Sequence, residues 1–233
     1  MPITKAYLLL TVLGTVGVMK TEVRRDRRDS RWDEHRRARR EHLVQATIAA
    51  VTTHGAGVGM DEIAAAAGTS KTALYRHFAD RNELYLAVCT RIGEQLTATL
   101  AEAMAGLDHP REMTAAAIEA YLAFIEADPE LYRFVVHPQA PVPGSQDPIS
   151  TLADLVGDRA TDLLAAALTA AGRPTGAAAP WGHGLVGLVR AAADRWLQSA
   201  DPLPRTELAG HLTALAWNGL AGVIAPPAPV EEQ

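Results

Sequence analysis

MDEIAAAAGTSKTALYRHFADRNELYLAV, residues 60–88, decides the fold of this chain. Asp61 and Glu62 stand where a helix amino terminus favours acids, Ile63 and Ala67 share one helical face, and Gly68 suits a left-handed carboxyl cap. The spacing predicts a first helix of about two turns. Ser70 then caps a second short helix, KTALYRHF, and Asp80 caps a third that runs on for many turns. On the second helix Leu74 and Phe78 fall at i and i+4, which turns both onto Ile63 and Ala67. Lys71, Thr72, Tyr75 and Arg76 are left on the exposed side. Two short helices separated by a tight turn and packed by a longer one form the helix-turn-helix arrangement.

That exposed side carries the functional information. A solvated helix gains nothing from the apolar area of Tyr75 and His77. A helix laid on DNA uses Tyr and His as donors to phosphate oxygens, and Lys and Arg for charge and base-edge contacts. An ordinary solvated cationic turn is the competing reading.

Working outward, RWDEHRRARREHLVQATIAAVTTHG (31–55) places Leu43, Ala46, Thr47, Ala50 and Val51 at amphipathic helical spacing, and Gly55 ends the run. Downstream, 111–127, 129–137, 149–172, 180–200 and 205–225 all read as helices. Pro and Gly mark the breaks at 138–148, 172–180 and 201–204. No stretch shows strand alternation, so the expected fold is all-α. PPAPVEEQ (226–233) reads as a disordered tail.

Charge is divided unevenly. Residues 20–86 hold 13 Lys or Arg against 10 Asp or Glu, and residues 87–233 hold 8 against 17, within an overall charge of −5. A mildly basic front joined to an acidic remainder suits a protein that meets phosphate at one end only. The single cysteine, Cys89, cannot form an intramolecular disulfide, and no CxxC or HExxH spacing occurs, so a disulfide scaffold and a standard zinc site are both unsupported. A reducing cytoplasm is the expected compartment, without metal or cofactor. The apolar run at 6–19 has the length of a signal-peptide core, but an arginine-rich segment follows it. The expectation is that Met19 initiates and that 1–18 lie outside the fold, with a membrane-interacting segment as the alternative. Residues 1–37 are expected to be a disordered or extended arm, in which RRDRRDSR is either a flexible solvated segment or an arm lying along the minor groove or phosphates ahead of the first helix.

Residues 60–88 resemble the DNA-binding domain of the tetracycline-repressor (TetR) family of bacterial regulators. Ile63, Ala64, Ala67, Gly68, Ser70, Lys71, Leu74, Tyr75, His77, Phe78 and Leu84 carry the match, which covers about residues 38–86. The resemblance implies a three-helix DNA-binding domain over 38–86, with 60–67 and 71–77 as its motif helices and the second in the major groove. It assigns DNA contacts to Thr69, Ser70, Lys71, Thr72, Ala73, Tyr75, Arg76, His77 and Arg81, the last standing where the family has Lys. Thr72–Ala73 and Met60–Asp61 depart from the family pattern, at positions that bear on which operator is read.

The resemblance further implies that 87–225 bind a small molecule and form a dimer through the last two helices. We expect an apolar effector among Met104, Tyr121, Phe124, Leu131, Phe134 and Trp181, with His137 on a polar rim, and simple core packing is the competing reading for each aromatic. The expected dimer stripes are Trp181, Leu185, Leu188, Ala192 and Trp196 on 180–200, and Leu208, Leu212, Leu215, Gly219 and Val223 on 205–225, with both helices as internal core of a monomer as the alternative. The partners are therefore a double-stranded operator, a second copy of the chain and a small molecule, and the expected function is a ligand-released repressor. An effector-independent architectural DNA binder is the alternative. No GxSxG, phosphate loop or metal-spaced histidine supports an enzyme; His137 and His183 are lone.

Overall fold

The computed structural model describes residues 27–136 and 148–224. Its helices are α1 Arg27–His54, α2 Met60–Ala66, α3 Lys71–Tyr75, α4 Arg81–Met104, α5 Pro110–Ala127, α6 Pro129–Val136, α7 Pro148–Ala170, α8 Ala178–Leu197 and α9 Arg205–Ile224. No strand occurs among the described residues, and the chain is all-α. The tail and the Pro-rich run with His137 lie outside the described residues.

Contacts divide the chain after Arg39 into two compact units, Met1–Arg39 and Arg40–Gln233. In the first, residues 27–39 are helical, where the sequence suggests an arm up to residue 37. Arg, Glu and Ala are good helix formers and fill most of 34–39. Arg37 Nε also donates to the Asp33 carbonyl one turn back, at 3.3 Å. The amphipathic face of α1 begins only at Leu43, so periodicity alone marks a later start.

In the second unit, one core joins α1, α2, α3, α4 and α6. Leu43 and Val51 of α1, Ile63 of α2, Leu74, Phe78, and Leu84 and Val88 of α4 are each 2% exposed or less within it. Gly68 makes the turn between α2 and α3 at φ +60, a conformation a β-carbon disfavours. Ser70 Oγ accepts from the Ala73 N–H at 3.2 Å, and Asp80 Oδ1 from the Glu83 N–H at 2.7 Å, so both predicted caps form.

A second core collects Ile118, Leu122 and Ile125 of α5, Val189, Ala193 and Trp196 of α8, and Ala209 and Leu212 of α9. Arg205 ties the start of α9 to α5, 2.7 Å from Glu119 and 2.5 Å from Glu126. A third, smaller core holds Leu164, Leu168 and Ala178, with Trp181 packed on it. The α7–α8 pair crosses at backbone contact, because a β-carbon on Gly182 would sit 2.7 Å from the Thr161 nitrogen and 2.9 Å from the Gly157 oxygen.

α6 belongs to two cores at once. Leu131, Phe134 and Val135 pack into the first, while Tyr132 packs against the second.

Candidate nucleic-acid interface

α3 has five residues, too few for a helix to hold itself in water. Its position therefore comes from what it is fastened to. Leu74 and Phe78 are fully buried against the core that holds Ile63 and Ala67, which leaves Lys71, Thr72, Tyr75 and Arg76 exposed as the spacing requires. Tyr75 keeps 40% of its surface open, a large aromatic on a polar face. Ser70 is exposed and Thr69, Ala73, His77 and Arg81 are half-buried around the same turn. All nine expected contact positions thus fall on one short stretch with a rigid apolar base.

Besides the Ser70 cap, Lys71 and Arg81 have side-chain partners inside the chain. Lys71 Nζ lies 2.9 Å from Asp61 Oδ2, and this hydrogen bond and charge hold the ammonium pKa above its ordinary value. Asp61 is one of the positions where the sequence departs from the family. Arg81 Nη2 donates to the Val58 carbonyl at 3.0 Å, bracing the loop ahead of α2.

Arg40 of α1 is a neighbour that sequence reasoning missed. Its guanidinium donates to the His77 carbonyl, lies 4.2 Å from the centroid of the Phe78 ring, and pairs with Glu83 at 2.9 Å. Glu83 in turn accepts from the Ala79 N–H at 2.6 Å, and that backbone bond is the main reason its pKa is lowered, with Arg40 adding to it.

The expected effector residues do not gather in one place. Leu131 and Phe134 are buried in the first core, with Phe134 5.5 Å from the Tyr85 ring. Tyr121 packs on the second core, Phe124 on both the first and the second, and Trp181 on the third; Met104 is half-buried at the end of α4. Tyr132 donates its hydroxyl to Asp194. Burial pushes the phenol pKa values of Tyr121 and Tyr132 up, Tyr132 the more strongly. A groove of about 410 Å³ runs between α5 and α9, lined by Arg111, Glu112, Ala115, Glu119, Thr206, Ala209, Gly210 and Thr213, none of them an expected effector residue.

The stripes assigned to a dimer also divide. Trp196 and Leu212 are 7% and 6% exposed and belong to the second core of their own chain, and Trp196 Nε1 donates to the Leu203 carbonyl at 2.8 Å. This corrects their placement on a partner-facing surface: a three-to-four stripe wide enough for two contacts does not say which edge faces inward. Among the described residues, Leu215, 60% exposed, and the small residues Gly184, Gly187 and Gly219 face outward.

Residues 43–88 match the family of bacterial regulatory proteins, tetR family, and residues 99–227 match the tetracyclin repressor-like C-terminal domain. The chain is 36% identical over 211 residues to an uncharacterized HTH-type transcriptional regulator of Mycobacterium tuberculosis, covering 87% of this chain and 86% of the relative. It is 31% identical over 204 residues to the HTH-type transcriptional activator FasR of Mycolicibacterium smegmatis, covering 85% and 89%. A solved TetR-like transcriptional regulator from Rhodococcus sp. RHA1 superposes with a TM-score of 0.60 at 26% identity, over 79% of this chain and 96% of that one. The chain belongs to the TetR family of DNA-binding transcriptional regulators. That family is one of regulators, not enzymes. No helix among the described residues is long and apolar enough to cross a membrane, and no group of three or more His, Cys, Asp or Glu among them could hold a metal ion.

Proposed function

We propose that this regulator works as a cytoplasmic homodimer on a two-fold operator and is a repressor released by a small, mainly apolar molecule. In this reading residues 38–86 bind DNA, residues 87–225 take the effector and form the dimer, and α3 enters the major groove. The observation that carries it is the exposed Lys71, Thr72, Tyr75 and Arg76 face on a fully buried base. Activation is a second reading, favoured by the 31% identity to the activator FasR. A reporter driven by the operator, with and without the regulator, separates the two by sign.

Duplex selected from a random pool tests the DNA face. Tyr75→Ala and Lys71→Ala are each expected to weaken binding to all duplexes by about tenfold at moderate salt, through lost phosphate contacts. Thr72→Ala is expected to change which duplexes are preferred. Unchanged affinity of Tyr75→Ala for the selected duplex would show that the face is misassigned.

Release needs an effector that favours a conformation in which α3 is misplaced for DNA. α6 is the element suited to carry that preference. The Tyr85 hydroxyl donates to the Val135 carbonyl at 2.7 Å in the buried first core, Glu130 accepts from the Ala56 N–H at 3.0 Å, and Tyr132 is bonded into the second core. We place the effector beside Tyr121 and Phe124, next to this helix. Tyr85→Phe removes one buried hydrogen bond, worth about 1 kcal/mol. With a ligand found by thermal-shift screening, the expected result is a release effect about fivefold smaller, a size that follows from that energy. An unchanged ratio of operator affinities with and without ligand would remove α6 from the route.

A further inference from the structure

We propose that Arg40 is a positioning residue for DNA recognition: it fixes the far end of the recognition helix and so sets sequence discrimination without itself contributing a phosphate contact. The inference rests on the DNA face assigned above. A helix of five residues has its direction set by its two ends. Ser70 caps the first end through the Ala73 N–H. At the other end the carbonyls of the last turn have no helical partner of their own. Arg40 supplies one, donating to the His77 carbonyl just past α3. The same guanidinium lies against the ring of Phe78, the residue that anchors this end in the core, and pairs with Glu83 in the first turn of α4. Glu83 closes the circuit by accepting from the Ala79 N–H. One planar group thus joins α1, the end of the recognition segment and the start of α4.

Only arginine fits that combination. A guanidinium can stack on a ring and fork its N–H groups to two acceptors in one plane, whereas a lysine ammonium is a point charge that serves one partner well. Arg40 also precedes the stretch 43–88 that matches the family, so the match does not assign it a role.

The consequence is a specific pattern of loss. Base-edge bonds tolerate little displacement, while contacts to the regular phosphate chain can re-form after a small shift. Arg40→Lys, which keeps the charge, and Arg40→Met, which removes it, are both expected to lower affinity for the selected duplex by about tenfold, the size of one misplaced base-edge contact. Affinity for an unrelated duplex of equal length is expected to change by less than about twofold, because its binding is nearly all charge and the slope of log affinity against log salt should stay the same. Glu83→Gln is expected to give a smaller loss of the same kind, and Arg40→Met with Glu83→Gln to be no worse than Arg40→Met alone.

Fluorescence anisotropy over a salt series, on chains whose melting is followed by circular dichroism, reads all of these. Full rescue by Arg40→Lys, with Arg40→Met weakening both duplexes equally and the slope falling by about 0.9, would make Arg40 a phosphate contact and overturn the proposal. A lowered melting temperature with unchanged affinities well below it would reduce Arg40 to a structural role and overturn it as well. If Arg40→Met does not fold, Arg40→Lys and Glu83→Gln decide. Tyr75→Ala in the same series keeps the two readings apart, since its failure to weaken binding bears on the DNA face and not on Arg40.

Discussion

Leu215→Glu is expected to leave each chain folded, convert the protein to a monomer, and weaken operator binding by about a hundredfold or more. Leu215 is 60% exposed on α9, so a carboxylate there meets water in the isolated chain and costs little folding stability. In a two-fold interface each copy would bring its carboxylate into an apolar patch, and isologous symmetry doubles the penalty. Linking two half-site contacts raises avidity by about 10²–10⁴ over one alone, and a monomer loses that gain. Light scattering at micromolar concentration reports the mass and anisotropy the affinity. A variant that remains a dimer would move the interface off this face of α9. Leu212, on the same predicted stripe, cannot serve as the probe. It is buried in its own chain, and a glutamate there would unfold the second core before it tested any interface.

Phe78→Ala should be the most damaging substitution in the DNA-binding region. The side chain is fully buried, and removing a buried phenyl ring costs about 3–5 kcal/mol in transfer free energy and cavity. Arg40 loses the ring it lies against, about 0.5–1 kcal/mol more for a partly exposed cation. Leu74 and Ile63 lose a packing partner, so α3 loses the base that holds it. In urea the unfolding midpoint is expected to fall by more than about 1 M, given slopes of a few kcal/mol per molar for chains of this size. Operator binding should vanish with it. A midpoint shift under about 0.3 M would mean that the core closes over the gap and that Phe78 is not the anchor described.

The parts of this molecule set by neighbouring residues were legible in the sequence. Ser70 and Asp80 announce helix starts because a capping side chain bonds three residues on, and both bonds are present. The inward turn of Leu74 and Phe78 follows from helical spacing, and both are buried. Contacts between distant segments were not legible. Arg40 reaches the His77 carbonyl across 37 residues, and within its own run it is one arginine among many. Leu131 and Phe134 were expected beside an effector, and residue type alone does not say which core receives an apolar side chain. They fill the core behind α3, apart from Trp181 in the third. Trp196 and Leu212 fail for a related reason, since a periodic stripe has two edges and the pattern does not name the inner one. Residues 27–37 were misread because helix propensity and surface charge, not amphipathic spacing, make them helical.

The pair between Lys71 and Asp61 changes how this protein should be counted as a polyelectrolyte ligand. A phosphate that engages Lys71 takes it from a carboxylate 2.9 Å away, so the step is an ion exchange and not the docking of a bare cation. The phosphate sheds its condensed counterion, but the freed carboxylate of Asp61, left close to a second negative charge, draws a cation back from solution. Part of the mixing entropy that drives cations off DNA is thereby returned. In the proposed reading of this face, the net number of ions released on binding is expected to fall short of the number of its exposed lysines and arginines, by the share that one aspartate takes back.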